Sequence, residues 1–134
     1  MSLVFFNQGE TIALEALLNK TAGQNVKLKL FKSNTTPAET DTEASYTEAT
    51  FTGYADVTLS GASWTMTGGA PGIAAYAEQT FLSTANQATQ SIYGYYYVQV
   101  TSGKAIAAER FSDGPYAITN NGDNIKVTPQ ITAD

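Results

Sequence analysis

The chain has 134 residues, a formal charge of −5, no His and no Cys. That length suits one domain burying roughly two-thirds of the surface its unfolded chain exposes. The missing residue types exclude a Ser-His-Asp triad, thiolate chemistry, disulfides and the usual zinc cages, and seven basic residues against twelve acids argue against a nucleic-acid partner.

Residues 3–6 suit a short opening strand, and 1–7 form a candidate N-terminal arm. They carry no basic n-region, so they do not read as a signal peptide. From residue 8 the pattern changes period. Ile12, Leu14, Ala16, Leu17 and Leu18 cluster as on a helix, with Glu10 and Glu15 at polar positions. Asn7 as N-cap with Glu10 three residues later has capping-box spacing. A helix over 8–20 is too short to stand alone, so its Ile12, Leu17 and Leu18 side is expected to dock on a sheet.

Residues 25–32 alternate, with Val26, Leu28 and Leu30 on one face and Lys27, Lys29 and Phe31 on the other. With Lys32, these lysines are the only basic cluster, read as a solvated strand face. A polar loop of more than ten residues follows, holding Pro37 and the acids Glu39, Asp41 and Glu43. Loops of that length are usually functional or mobile.

Residues 54–59 and 63–67 read as strands, the second with the only Trp, Trp64. A Gly-Gly-Ala-Pro-Gly breaker leads to a strand over 73–82. Then comes the most telling stretch, 91–101, with four of the eight tyrosines. Strict alternation puts Ile92, Gly94, Tyr96, Val98 and Val100 on one face and Tyr93, Tyr95, Tyr97 and Gln99 on the other. Both faces are sticky, as in a central strand covered on each side. Ser102-Gly103 is a hairpin turn to a strand over 104–111. A second turn follows at 112–115, and the Asn-Gly at 121–122 signals a third hairpin. In the last strand, over 124–132, Pro129 marks an edge or end. The fold class is mainly β: an antiparallel β-sandwich or barrel of about eight strands, with one short N-terminal helix packed on it. The chain reads as one domain, 1–134, with the sandwich over 25–132.

No motif supplies a catalytic, cofactor or metal site, so the chain does not read as an enzyme. Glu39, Asp41 and Glu43 could share a face toward Ca²⁺, but a calcium loop needs more oxygens and a turn glycine. A solvated acidic loop is the simpler account. No apolar run reaches the ~20 residues of a membrane helix. The aromatic side chains are the candidates for contact. Tyrosine and phenylalanine suit both a core and a protein–protein face, and the candidates are Tyr93, Tyr95, Tyr97, Tyr46, Phe51, Tyr54, Phe5 and Phe6.

Six collinear segments carry a resemblance. They are Gly-Glu-x-x-x-Leu-x-x-Leu-Leu-Asn at 9–19, Leu-Lys-Leu-Phe-Lys-Ser-Asn-Thr-Thr-Pro-Ala-Glu-Thr-Asp-Thr at 28–42 and Tyr-Thr-Glu-Ala-Thr-Phe-Thr-Gly-Tyr-Ala at 46–55. Tyr-Gly-Tyr-Tyr at 93–96, Ala-Glu-Arg-Phe at 108–111 and Asn-Asn-Gly-Asp-x-Ile-Lys-Val-Thr-Pro at 120–129 complete the set. Together they resemble a group of small structural proteins of tailed bacteriophages. The resemblance implies a virion component, foremost a capsid decoration or cement protein on the outside of the head. Its partners would be the major capsid protein lattice and further copies of itself, a trimer foremost, with no cofactor, nucleic acid or membrane. Such a protein would sit in the host cytoplasm before assembly. The resemblance does not separate head from tail. The alternative is a tail or baseplate module that recognises host surface glycans.

Overall fold

β-branched and aromatic residues at alternate positions pair into strands wherever both faces can be covered. The structure, a computed structural model, describes residues 2–133. Its strands are β1 (Val4–Phe5), β2 (Val26–Phe31), β3 (Val57–Leu59), β4 (Thr65–Thr67), β5 (Gly72–Ala75) and β6 (Gln79–Leu82). They continue with β7 (Gln90–Ile92), β8 (Gly94–Gln99), β9 (Ala105–Arg110), β10 (Tyr116–Ile118), β11 (Asn124–Val127) and β12 (Gln130–Ala133). One α-helix, α1 (Asn7–Leu17), joins β1 to β2. Every pairing is antiparallel. The mainly β fold with a short N-terminal helix is as the sequence indicates.

One layer is a five-stranded sheet in the order β1-β9-β8-β2-β3. The other is fragmented into β12-β5-β4, β11-β6 and β10-β7. These fragments form a ribbon that bends. β5 and β6 run beside β12 and β11, and at the break the Tyr76 N–H donates to the Pro129 carbonyl at 2.9 Å. Pro129 has no N–H to give the ladder, so the strand expected over 124–132 divides there. Similar breaks divide 73–82 and 91–101, and β10 adds a strand the sequence reading lacks. About eight expected strands thus become twelve.

The break at Tyr93 resets the alternation. β7 and β8 lie in different sheets, so the chain changes layer at Tyr93-Gly94. Ile92 therefore shares a core with Tyr95 and Tyr97, not with Tyr96 and Val98. Gly94 makes the crossing possible. A Cβ there would sit 2.1 Å from the Glu109 carbonyl oxygen and 2.6 Å from the Phe31 ring.

Two cores result. Between the layers lie Leu28, Leu30, Tyr95, Tyr97 and Ala107, against Phe51, Phe81, Ile92, Ile118, Ile125 and Val127. On the outer face of the five-stranded sheet, Phe31, Tyr96, Val98 and Ala108 pack with Phe6 and Tyr46. The loop after β2 covers this second core. Tyr46 stacks on Tyr96 at a ring distance of 5.2 Å. The loop acids latch it in place. Asp41 accepts from the Ala38 N–H and the Tyr46 hydroxyl, and Glu43 accepts from the Ala105 N–H and the Gln8 amide. The Ala105 N–H, then the Gln8 amide, hold the Glu43 carboxyl below the usual range. Pro37 is buried, and Arg110 Nη1 donates to the Thr35 carbonyl at 3.0 Å. This loop is therefore a packed cover rather than a mobile segment.

Residues 2–6 are also fixed in place, and Met1 lies outside the described residues. β1 pairs with β9, and Phe6 is fully buried. Phe6, not Asn7, is the N-cap residue, and no side chain caps the helix. The Asn7 N–H donates instead to the Glu39 carbonyl at 2.8 Å. The helix ends at Leu17, three residues short of the expected 20. Asn19 takes a left-handed conformation (φ 54°), and the Lys20 N–H closes on the Glu15 carbonyl. That is a Schellman ending with Asn where Gly is usual.

The turn at Asn120–Asp123 forms, but β10 and β11 on either side pair with other strands. An Asn-Gly turn is thus present without its hairpin. The Asp123 carboxylate accepts from the Asn120 and Thr119 N–H groups, which lower its pKa.

Candidate binding surface

Of the eight aromatic contact candidates, five are core. Phe6, Tyr97, Phe51, Tyr46 and Tyr95 are all buried. Their rings fill the space between a sheet and its cover, which removes them from any outside contact. Burial drives the hydroxyl pKa of Tyr46, Tyr95 and Tyr97 well above the usual tyrosine range. The Tyr97 hydroxyl lies toward the Gln130 backbone and Tyr95 without hydrogen-bond geometry to either. Tyr54 is half-buried, stacks on Phe81 and donates to Glu48 at 3.0 Å. Tyr93 is half-buried beneath the Arg110 guanidinium, 5.0 Å from its ring centre. Phe5, also half-buried, lines two open hollows.

The surface around these hollows starts from the helix. Gly9 meets β9 at a bulge. Tyr97 pairs with Ala107 and Val98 with Ala105, which leaves Ile106 as the extra residue. The Ile106 carbonyl accepts the Phe6 N–H at 2.9 Å. A Cβ on Gly9 would come within 2.3 Å of that same oxygen. The glycine therefore lets the helix lie against the bulge, with Ile12 on the core. At about 100° per residue, Leu14, Leu17 and Leu18 fall on the opposite side of the axis from Ile12. They do not dock as expected for Leu17 and Leu18. Their exposures are 57%, 78% and 74%.

Three open hollows of about 320, 200 and 590 Å³ share Ile131, and the largest reaches the ridge at Leu14. The largest lies between Phe5, Leu14 and the β12 residues Ile131–Ala133. The smallest runs along Ala13, Ala16, Val26 and Ile106. The third is lined by Val26, Leu59, Trp64, Met66 and Ala74. Register explains the last set: Met66 pairs with Ala74, and Ala74 with Ile131, so the three form a row across one sheet face. Met66 is 71% exposed. At this end the described residues leave open hollows at the edge of the two layers. Among the described residues, the only charged one lining the three hollows is Glu10.

The charged residues gather elsewhere. Lys27 pairs with Asp56 at 3.2 Å and Lys29 with Glu48 at 3.1 Å, on the outer face of the five-stranded sheet. Lys32 donates to the Thr50 hydroxyl. Among the described residues, no group of three or more acids is placed to hold a metal ion. Nor, among the described residues, is any helix long and apolar enough to cross a membrane.

Sequence reasoning placed the contact on five tyrosines and on Phe5, Phe6 and Phe51, and missed the helix ridge. The signal was present. Ile12 and the three leucines cannot all face one sheet, because they lie on opposite sides of a helix. Met66 and Ile131 carried no such signal, since their row depends on strand register. No family model, curated protein or solved structure matches the chain.

Proposed function

We propose that the protein is a structural component of a tailed-phage virion, a capsid decoration protein that binds the outside of the head through protein–protein contacts. One observation carries this reading: a band, apolar among the described residues except for Glu10, formed by Leu14, Leu17, Leu18, Met66 and the hollows around Ile131. Exposed apolar patches rimmed by polar surface mark interaction sites. A decoration protein binds a repeating lattice many times, so modest contacts suffice when copies act together. The resemblance of segments 9–19, 28–42 and 120–129 to phage structural proteins supports the same reading.

The test is cosedimentation of the purified protein with empty heads of the virus that encodes it, followed by the heads' melting temperature. Binding and a raised melting temperature are expected. Failure to bind heads, with gold-labelled antibody found on tails, overturns the head assignment.

The tail-module reading draws on one feature. Trp64 lines a hollow with the amide side chains Gln24 and Asn25, a combination able to stack on and hydrogen-bond a sugar. Quenching of Trp64 fluorescence by a host glycan, without head binding, would favour that reading.

A further inference from the structure

We propose that Asn121 is a latent self-modification site: its side-chain amide converts to aspartate and isoaspartate when its turn opens, and the fold holds this back by engaging the Gly122 N–H. Asn121-Gly122 is the only Asn-Gly pair in the chain. Both residues are exposed, and the Asn121 side chain has no hydrogen-bond partner among the described residues. In the reaction the Gly122 nitrogen gives up its proton and attacks the Asn121 Cγ. The N–Cγ bond forms, the Cγ–Nδ2 bond breaks, and Nδ2 leaves with the proton as ammonia. Water then opens the cyclic imide. Cleavage of the new N–Cγ bond gives aspartate. Cleavage of the original peptide bond leaves the main chain running through Cγ, as isoaspartate. No oxidant, reductant or cofactor enters. Glycine hinders the attack least, because it has no side chain and turns freely.

Exposure alone would make this a fast site, but in the folded chain the attacking nitrogen is occupied. The Gly122 N–H donates to the Ser83 carbonyl at 2.9 Å, and Ser83 is fully buried. The neighbours are pinned to the same segment. The Asn121 N–H donates to Asn86 Oδ1 at 2.8 Å, and the Ser83 N–H donates to the Asp123 carbonyl at 2.8 Å. Within the turn, the Asp123 N–H donates to the Asn120 carbonyl at 3.1 Å, and the Asp123 carboxylate holds the Thr119 and Asn120 N–H groups. Cyclisation therefore requires Gly122 to leave Ser83, a local opening of the kind that hydrogen exchange reads. The same N–H must be freed for exchange and for attack, so one opening slows both alike. Isoaspartate lengthens the main chain between the two N–H groups that Asn86 and Ser83 hold. Once formed, it keeps the turn from closing as before.

The modification is independent of head binding and is read on the isolated protein. The full chain is incubated at neutral pH, folded in one arm and unfolded in guanidinium chloride in the other. Trypsin then releases the peptide 111–126, and fragmentation in the mass spectrometer reads aspartate and isoaspartate at position 121. Loss of Asn121 is expected to be at least tenfold slower in the folded chain. That slowing should match, within a factor of a few, the protection of the Gly122 amide against hydrogen exchange. Asn86 is exposed, and Asn86→Ala removes the acceptor of the Asn121 N–H. The folded variant is expected to lose Asn121 several-fold faster than the folded wild type, with little change in its thermal melt. Equal rates in the folded and unfolded wild type, a slowing that does not follow Gly122 protection, or an unchanged rate in Asn86→Ala would overturn the proposal.

Discussion

Gly94 shows how one hydrogen in place of a side chain decides a fold. It sits where the chain leaves one layer for the other, with Phe31 pressed over it and the Glu109 carbonyl behind. Neither neighbour can yield, since one is backbone and the other a fully buried ring. Gly94→Ala is therefore expected to cost about 3 kcal/mol, the upper range for overpacking, as a lower urea midpoint with the native slope. The buried tyrosines make a different prediction. Burial raises the pKa of Tyr46, Tyr54, Tyr95, Tyr96 and Tyr97 in the folded chain. The unfolded chain releases these protons near the ordinary value of ~10. Above that pH the unfolded state binds fewer protons than the folded one, so stability falls as pH rises. Tyrosinate absorbance of these five groups is expected to appear together with loss of β-sheet circular dichroism. A smooth titration with the sheet intact would contradict their burial.

At the scale of elements, the helix and the bulge of β9 belong together. The bulge presents the Ile106 carbonyl, and Phe6 and Gly9 both use the approach it allows. Alanine at position 9 would gain ~1 kcal/mol of helix propensity, but its Cβ would fall 2.3 Å from a backbone oxygen. The clash wins, because overpacking costs about 1–3 kcal/mol and carbonyl oxygens do not compress. Gly9→Ala is expected to speed amide exchange in α1 and β1 while β2 and β8 stay protected. What was legible in the sequence follows from the range of the interactions. The β2 alternation, the Ser102-Gly103 hairpin and the helix depend on neighbours a few residues apart, and all three are present. The tyrosine stretch misled because strict alternation assumes one sheet, and a change of layer at Tyr93 is a tertiary event. The acidic loop resembled a free segment because nothing local shows that Glu43 will reach the Ala105 N–H, 62 residues away.

For the whole molecule, charge and apolar surface are separated. Three of the four ion pairs among the described residues occupy the outer face of the five-stranded sheet, while the described residues lining the hollows around Ile131 include one charge, Glu10. The two regions are expected to respond differently to substitution. Leu14→Ser combined with Leu17→Glu removes side chains that are already exposed, so the melting temperature should change little, in line with surface substitutions near ±0.5 kcal/mol. Head binding should fall at least tenfold in the same variant, read by cosedimentation. If heads bind both proteins equally, the ridge is not the contact.

Phe5 and Ala133 line the same hollow, so both described ends of the polypeptide emerge beside the apolar band. Under the proposed head contact, a tag or reporter attached beside Ser2 or Ala133 is expected to shade that band and to weaken head binding without harming the fold. A handle inserted at the exposed Asn121-Gly122 turn shares no residue with the three hollows. Labelling there leaves the sticky end bare, and the same site offers a place to display a foreign peptide.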